Sequence, residues 1–143
     1  YLNRASTLVE QQRYADAYVD FNRALELRKD EPLILTNRAQ LYSMQGKWDA
    51  ALNDYQKAVE KTSGSVEPFW LDYGLALFEK GMNIEAQGIL RRLLAKYDHV
   101  DDVNAAYAVM AFTAGDLSAA ETRWSMVNRP KLFTSTSYLK QHR

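Results

Sequence analysis

The sequence predicts an all-α fold built from one two-helix unit used four times. Apolar residues recur at helical spacing, and no segment alternates with period two over a strand's length. Blocks of sequence also return after 34 residues, the signature of a helical repeat array. Asn3-Arg4-Ala5 returns as Asn37-Arg38-Ala39, and RYADAYVDFNRALEL from Arg13 returns as KWDAALNDYQKAVEK from Lys47. The trio Ala17/Phe21/Ala24 becomes Ala51/Tyr55/Ala58, then Ala86/Leu90/Leu93 one residue late, then Ala120/Trp124/Val127.

The elements follow in order. Helices are expected near 1–12, 14–29, 32–45, 48–61, 67–80, 83–97, 101–114 and 117–128. The first pair is read from its kinship with the second, with Gln12 standing where a turn glycine belongs. In the second pair, Leu33, Leu35, Ala39, Leu41 and Tyr42 mark one helix, and Trp48, Ala51, Leu52, Tyr55, Ala58 and Val59 the other. Gly46-Lys47 separates them, as glycine does at a helix C-terminus. The stretch TSGSVEP, Thr62 to Pro68, supplies the extra residue before the third pair. That pair carries Trp70, Tyr73, Gly74, Leu77, Gly81 and Ala86 in order, whereas the fourth has Asn104 and Ala111 at positions usually larger. Beyond Pro130, STSYLKQH offers Ser and Thr starters for a short helix. There Leu132, Phe133, Tyr138 and Leu139 are expected to cover the apolar flank of the last repeat.

These motifs resemble the tetratricopeptide repeat (TPR) family over residues 1–132. The resemblance implies a right-handed superhelical solenoid of four helix-turn-helix repeats, near 1–31, 32–66, 67–100 and 101–132, with a short capping helix within 133–143, all in one domain. It also explains why small residues alternate with large aromatics. Where the two helices of a repeat cross, only Ala or Gly lets the backbones approach within roughly 8–10 Å. Ala39 and Ala51 are then contact points, and Tyr55 is the wedge between successive repeats.

Composition narrows the function. The 143 residues are one domain's length, enough to bury a core. Eighteen basic residues balance eighteen acidic ones, so no global field selects nucleic acid or an anionic membrane. Residues 103–143 carry a local excess of positive charge. The absence of cysteine excludes disulfides and thiolate metal sites and leaves the redox compartment open. No apolar run approaches the ~20 residues of a membrane span, and no signal peptide is visible, though the chain is expected to be an excerpt of something longer.

Catalytic chemistry finds few candidates. Asp98-His99-Val100-Asp101-Asp102 could ligate a cation, but acidic residues also gather at helix starts to meet free N–H groups and the dipole. The second reading is preferred, and no metal or cofactor is expected. Gln45-Gly46-Lys47 is followed by Trp48 and not by Ser or Thr, so it is no phosphate loop. Arg91, Arg92 and Lys96 read as a solvated helix face. The expectation is a non-enzyme.

The resemblance implies a concave groove lined by the first helix of each repeat. The groove positions carried over are Leu2, Asn3, Ser6, Val9 and Glu10; Leu33, Thr36, Asn37, Gln40, Ser43 and Met44; Leu71, Asp72, Leu75, Phe78 and Glu79; and Asp102, Ala105, Ala106, Val109, Phe112 and Thr113. Leu33 and Ala106 could equally serve only to pack on a neighbouring helix. Thr36, Asn37 and Gln40 are expected to meet a peptide backbone. The family's five-residue clamp for a chaperone's terminal carboxylate keeps only Asn37, since Leu2, Ser6, Pro68 and Asp72 hold its other positions. A chaperone cofactor is therefore disfavoured.

The expected function is a scaffold binding a partner peptide or helix in the groove. The partner should carry apolar anchors and a basic residue; neither nucleic acid nor direct membrane insertion is expected. A self-association module is the alternative. Gly115 to Phe133 also resembles the last repeat of cyanobacterial and chloroplast TPR assembly factors. That resemblance would imply a factor for a photosynthetic membrane complex in the stroma or at the thylakoid, with the cytoplasm as the other compartment.

Overall fold

A computed structural model describes residues 2–127. The chain divides into two compact units, Tyr1–Ser65 and Val66–Arg143, each with two helix pairs among the described residues. The described part of the first unit comprises α1 (Leu2–Glu10), α2 (Tyr14–Leu27), α3 (Pro32–Met44) and α4 (Trp48–Lys61). That of the second comprises α5 (Trp70–Glu79), α6 (Asn83–Lys96), α7 (Asp101–Thr113) and α8 (Leu117–Ser125). The expected capping segment at 133–143 lies outside the described residues.

The four turns within helix pairs are one structure used four times. Gln12, Gly46, Gly81 and Gly115 hold φ of 60°, 72°, 87° and 85°. The next residue then donates its N–H back to the helix: Arg13 to the Leu8 carbonyl, Lys47 to Tyr42, Met82 to Leu77 and Asp116 to Ala111, at 2.8–2.9 Å. This closure satisfies carbonyls that a helix end leaves open, and it needs a residue in the left-handed region. Helix starts differ more. Pro32 opens α3, where its missing N–H costs nothing, and the Asp116 carboxylate accepts from the Ala119 N–H to cap α8. The fifth helix begins at Trp70, three residues later than expected. Ahead of it, Trp70 and Leu71 donate to the carbonyls of Glu67 and Pro68 in tight i→i+3 turns.

In the first unit, Ala5, Leu8, Ala17, Phe21, Ala24, Ile34 and Leu41 form a core drawn from α1, α2 and α3. Val9, Tyr14, Tyr18 and Leu25 pack against it. Ala39, Ala51, Tyr55 and Ala58 are likewise buried. Burying a side chain the size of Phe21 contributes about 1.5–3 kcal/mol relative to leaving it in water. In the second unit Trp70, Leu77, Leu90, Leu93 and Met110 fill the interior. Gly74 sits against Leu90, where any larger residue would collide with the leucine side chain. A constant offset links the paired helices: Arg4 meets Asp20, Arg38 meets Asp54 and Gly74 meets Leu90, each sixteen residues on.

Candidate partner-binding face

The first helix of each pair supplies the candidate face. In the first unit Asn3 and Ser6 are exposed on α1, while Val9 is half-buried against the core. On α3, Leu33 is 57% exposed and Met44 62%, with Gln40 also exposed and Asn37 half-buried between them. Leu33, Asn37, Gln40 and Met44 are spaced 4, 3 and 4 residues apart, which keeps them on one face of the helix. Leu33 is therefore not covered by a neighbouring described helix. Thr36 departs from expectation in the other direction. It is buried, and its hydroxyl donates to the Leu33 carbonyl at 3.1 Å, which withdraws it from a ligand backbone. The Ser43 hydroxyl is also buried, without a hydrogen-bond partner among the described residues.

In the second unit Leu71, Asp72, Leu75 and Phe78 are half-buried on α5. On α7, Val109 is half-buried and Phe112 is 66% exposed. The two helices touch, and Leu75/Phe78 recur as Val109/Phe112 at the repeat interval of 34 residues. Ala105 and Ala106 are fully buried, so they pack and do not line the face. Nothing is described of the Leu2 side chain.

Sequence reading missed the polar framework behind α1 and α3. Arg38 grips Asp54 with two hydrogen bonds of 2.7 and 2.8 Å and donates a third to the Asn22 side chain at 2.7 Å. The Asp54 side chain is 1% exposed and that of Arg38 17%, so the pair is nearly dry. Its charge-assisted bonds hold the guanidinium protonated beyond its ordinary range, against the effect of burial. Arg4 and Asp20 repeat the arrangement 34 residues earlier, with two bonds of 2.6 Å. There the hydrogen bonds to Arg4 hold the Asp20 carboxyl below the usual carboxylate range despite its burial. The signal was available, because both partners of each pair recur at the repeat interval. Beside Arg38, the rings of Tyr18 and Tyr42 lie 4.9 Å apart, and the Tyr18 hydroxyl donates to Gln45 Oε1 at 2.6 Å. Burial, with Tyr42 second, pushes the Tyr18 phenol up to about 12.

Among the described residues, no group of three or more His, Cys, Asp or Glu side chains is placed to hold a metal ion. His99 is exposed, with Nε2 3.3 Å from Asp98 Oδ1. The heads of Arg91, Arg92 and Lys96 are exposed but tethered, to the Tyr107 hydroxyl, the Trp70 ring and the Val66 carbonyl. No described helix is long and apolar enough to cross a membrane.

Helix pairs of this period, closed by one repeated turn, define a helical-repeat protein. The tetratricopeptide repeat profile matches residues 1–62, so the first part of the chain carries the sequence pattern of tetratricopeptide repeats. Among solved structures, MamA of AMB-1 aligns at a TM-score of 0.76 and 19% identity, over 97% of this chain and 75% of that one. A tetratricopeptide repeat protein from Parabacteroides merdae aligns at 0.81 and 20% identity, over 96% and 54%. The C-terminal part of a TPR repeat-containing protein from Cytophaga hutchinsonii aligns at 0.74 and 19%, over 98% and 60%. These likenesses show the fold, all-α with four helix pairs among the described residues. A search of curated proteins finds no match. None of the three structures points to a plastid or to photosynthetic assembly, so those expectations gain no support.

Proposed function

We propose that the chain is a non-enzymatic scaffold that binds a partner peptide or helix on the faces of α1/α3 and α5/α7. The TPR fold is one suited to protein–protein interaction. The observation that carries the reading is the large apolar side chains left in water on these helices, Leu33 and Met44 in the first unit and, in the second, Phe112 on α7 with Leu75 and Phe78 half-buried on α5. Neither α5 nor α7 contains a basic residue, whereas they hold Asp72, Glu79, Asp101 and Asp102. A partner with apolar anchors and at least one Lys or Arg suits such a surface. The anchors supply affinity, and the charges supply orientation and a modest salt dependence. Asp72 disfavours a carboxylate-ended chaperone tail.

Capture of partners on the wild-type chain and on two variants, read by mass spectrometry and then titrated, tests it. Asn37→Ala should weaken binding by about 1–3 kcal/mol, the cost of an unmet backbone hydrogen bond, with the melt unchanged. Asp72→Arg should weaken a basic partner. Unchanged affinity in both variants would move the contact off these helices. Capture of only the chain itself would favour the self-association module instead.

A further inference from the structure

We propose that Met44 is a reversible oxidation site, and that adding one oxygen to its sulfur switches off partner binding on the α3 face. The inference rests on the reading of that face as a binding surface and adds its regulation. Chemistry narrows the candidates first. The 143 residues contain no cysteine, so no thiolate in them competes for a peroxide. The four methionine thioethers are the soft nucleophiles that remain, and all four, Met44, Met82, Met110 and Met126, lie among the described residues.

Their surroundings differ. Met110 is 1% exposed in the interior of the second unit, and Met82 is half-buried. Met126 is 40% exposed, but the Arg123 guanidinium donates to its sulfur at 3.7 Å. That bond draws on the lone pair that has to attack an oxidant. Met44 is 62% exposed, and among the described residues its sulfur accepts no hydrogen bond. It is the thioether most open to attack. With hydrogen peroxide the sulfur lone pair takes one peroxide oxygen, an S–O bond forms as the O–O bond breaks, and the other oxygen leaves as water. Sulfur gives up two electrons and the peroxide gains them. A dithiol-dependent sulfoxide reductase returns the thioether, its two thiols becoming a disulfide with release of water.

Placement gives the modification its consequence. Met44 ends the row Leu33, Asn37, Gln40 and Met44 on one face of α3. A sulfoxide there turns an apolar anchor into a polar acceptor, which opposes burial beneath a partner's apolar side chain. The turn after α3 closes through the Lys47 N–H on the Tyr42 carbonyl and does not use the Met44 side chain, so the fold survives the change.

The test exposes the intact chain to hydrogen peroxide and locates the added oxygen by peptide mass spectrometry. Met44 should gain it first, Met126 and Met82 later, and Met110 only as the chain unfolds. The partner captured on the wild-type chain is then titrated against the chain oxidised at Met44, peroxide-treated Met44→Leu and untreated Met44→Gln. The oxidised chain should bind about tenfold more weakly, the scale of a lost apolar anchor, with its melt unchanged. Methionine sulfoxide reductase with dithiothreitol should restore the affinity. Met44→Leu should keep its affinity through the treatment, and Met44→Gln should reproduce the loss. Oxidation that begins at another methionine overturns the proposal. So does unchanged affinity of the oxidised chain, or a loss that Met44→Leu shares. These results leave the scaffold reading intact, because the Asn37 and Asp72 variants judge it without touching a sulfur. A chain that captures no partner overturns both.

Discussion

Leu90 of α6 fills the space in front of Gly74 of α5, so closely that a methyl group at position 74 would displace it. Both residues are buried. Gly74→Ala should therefore destabilise the protein despite the better helix propensity of alanine. Overpacking costs about 1–3 kcal/mol, and the propensity gain returns about 1. Gly88, in the middle of α6 with open space around its Cα, should show the opposite sign, with Gly88→Ala stabilising by about 0.5–1 kcal/mol. Ala51→Leu and Ala58→Leu, both at fully buried sites, should follow Gly74→Ala, whereas exposed Lys57→Gln should be neutral. Urea melts of the five variants check the register directly.

The turn at Gln12 uses a left-handed backbone without a glycine to adopt it. Gln12→Gly should raise stability by up to about 1 kcal/mol, the relief of a left-handed non-glycine residue less the added freedom of the unfolded chain. Gly81→Ala should lose about 1–2 kcal/mol at the equivalent turn. Chemical denaturation of both variants reads the two signs.

Removing Arg38 leaves Asp54 dry and unpartnered. Arg38→Ala should cost about 3–5 kcal/mol, as breaking one side of a buried ion pair does. Replacing both residues at once, as Arg38→Met with Asp54→Leu, should recover much of that loss. Thermal melts of the single and double variants decide whether the pair stabilises the unit or only fixes its geometry.

Stability should fall at both pH extremes for separate reasons. The Asp20 carboxyl is depressed in the folded chain, so its contribution is complete above its ordinary value of 3.8 and is lost as pH falls toward the folded value. The Tyr18 phenol moves the other way, from 10.0 to about 12. Its contribution is complete below pH 10 and is lost as pH rises to about 12, because the unfolded chain releases the proton first. Denaturation midpoints for Asp20→Asn should be flatter in the acid arm, and those for Tyr18→Phe flatter in the alkaline arm.

Much of this fold could be read from residue order. The 34-residue recurrence fixed the helix pairs, and the helix limits fell within three residues of expectation because glycine and proline mark the turns. The sequence could not say that Gln12 would take the glycine's backbone angle, since that depends on hydrogen bonds closing around it. Nor did helical periodicity reveal the Arg4–Asp20 and Arg38–Asp54 pairs, because Asp20 and Asp54, each at 1% exposure, break the rule that buries only apolar residues. The candidate face was legible as a set of positions but not in its detail. Thr36 turns its hydroxyl onto its own helix, a local choice that spacing does not encode.

The offset of sixteen residues between partners in paired helices bears on how the chain folds during synthesis. Contacts that close such short loops lose little chain entropy before they form, so folding should be fast and should proceed in sequence order. Once α2 has left the ribosome, Arg4 can already find Asp20. The nascent chain then extends this hairpin by adding the next pair, without waiting for a distant strand or a closing terminus.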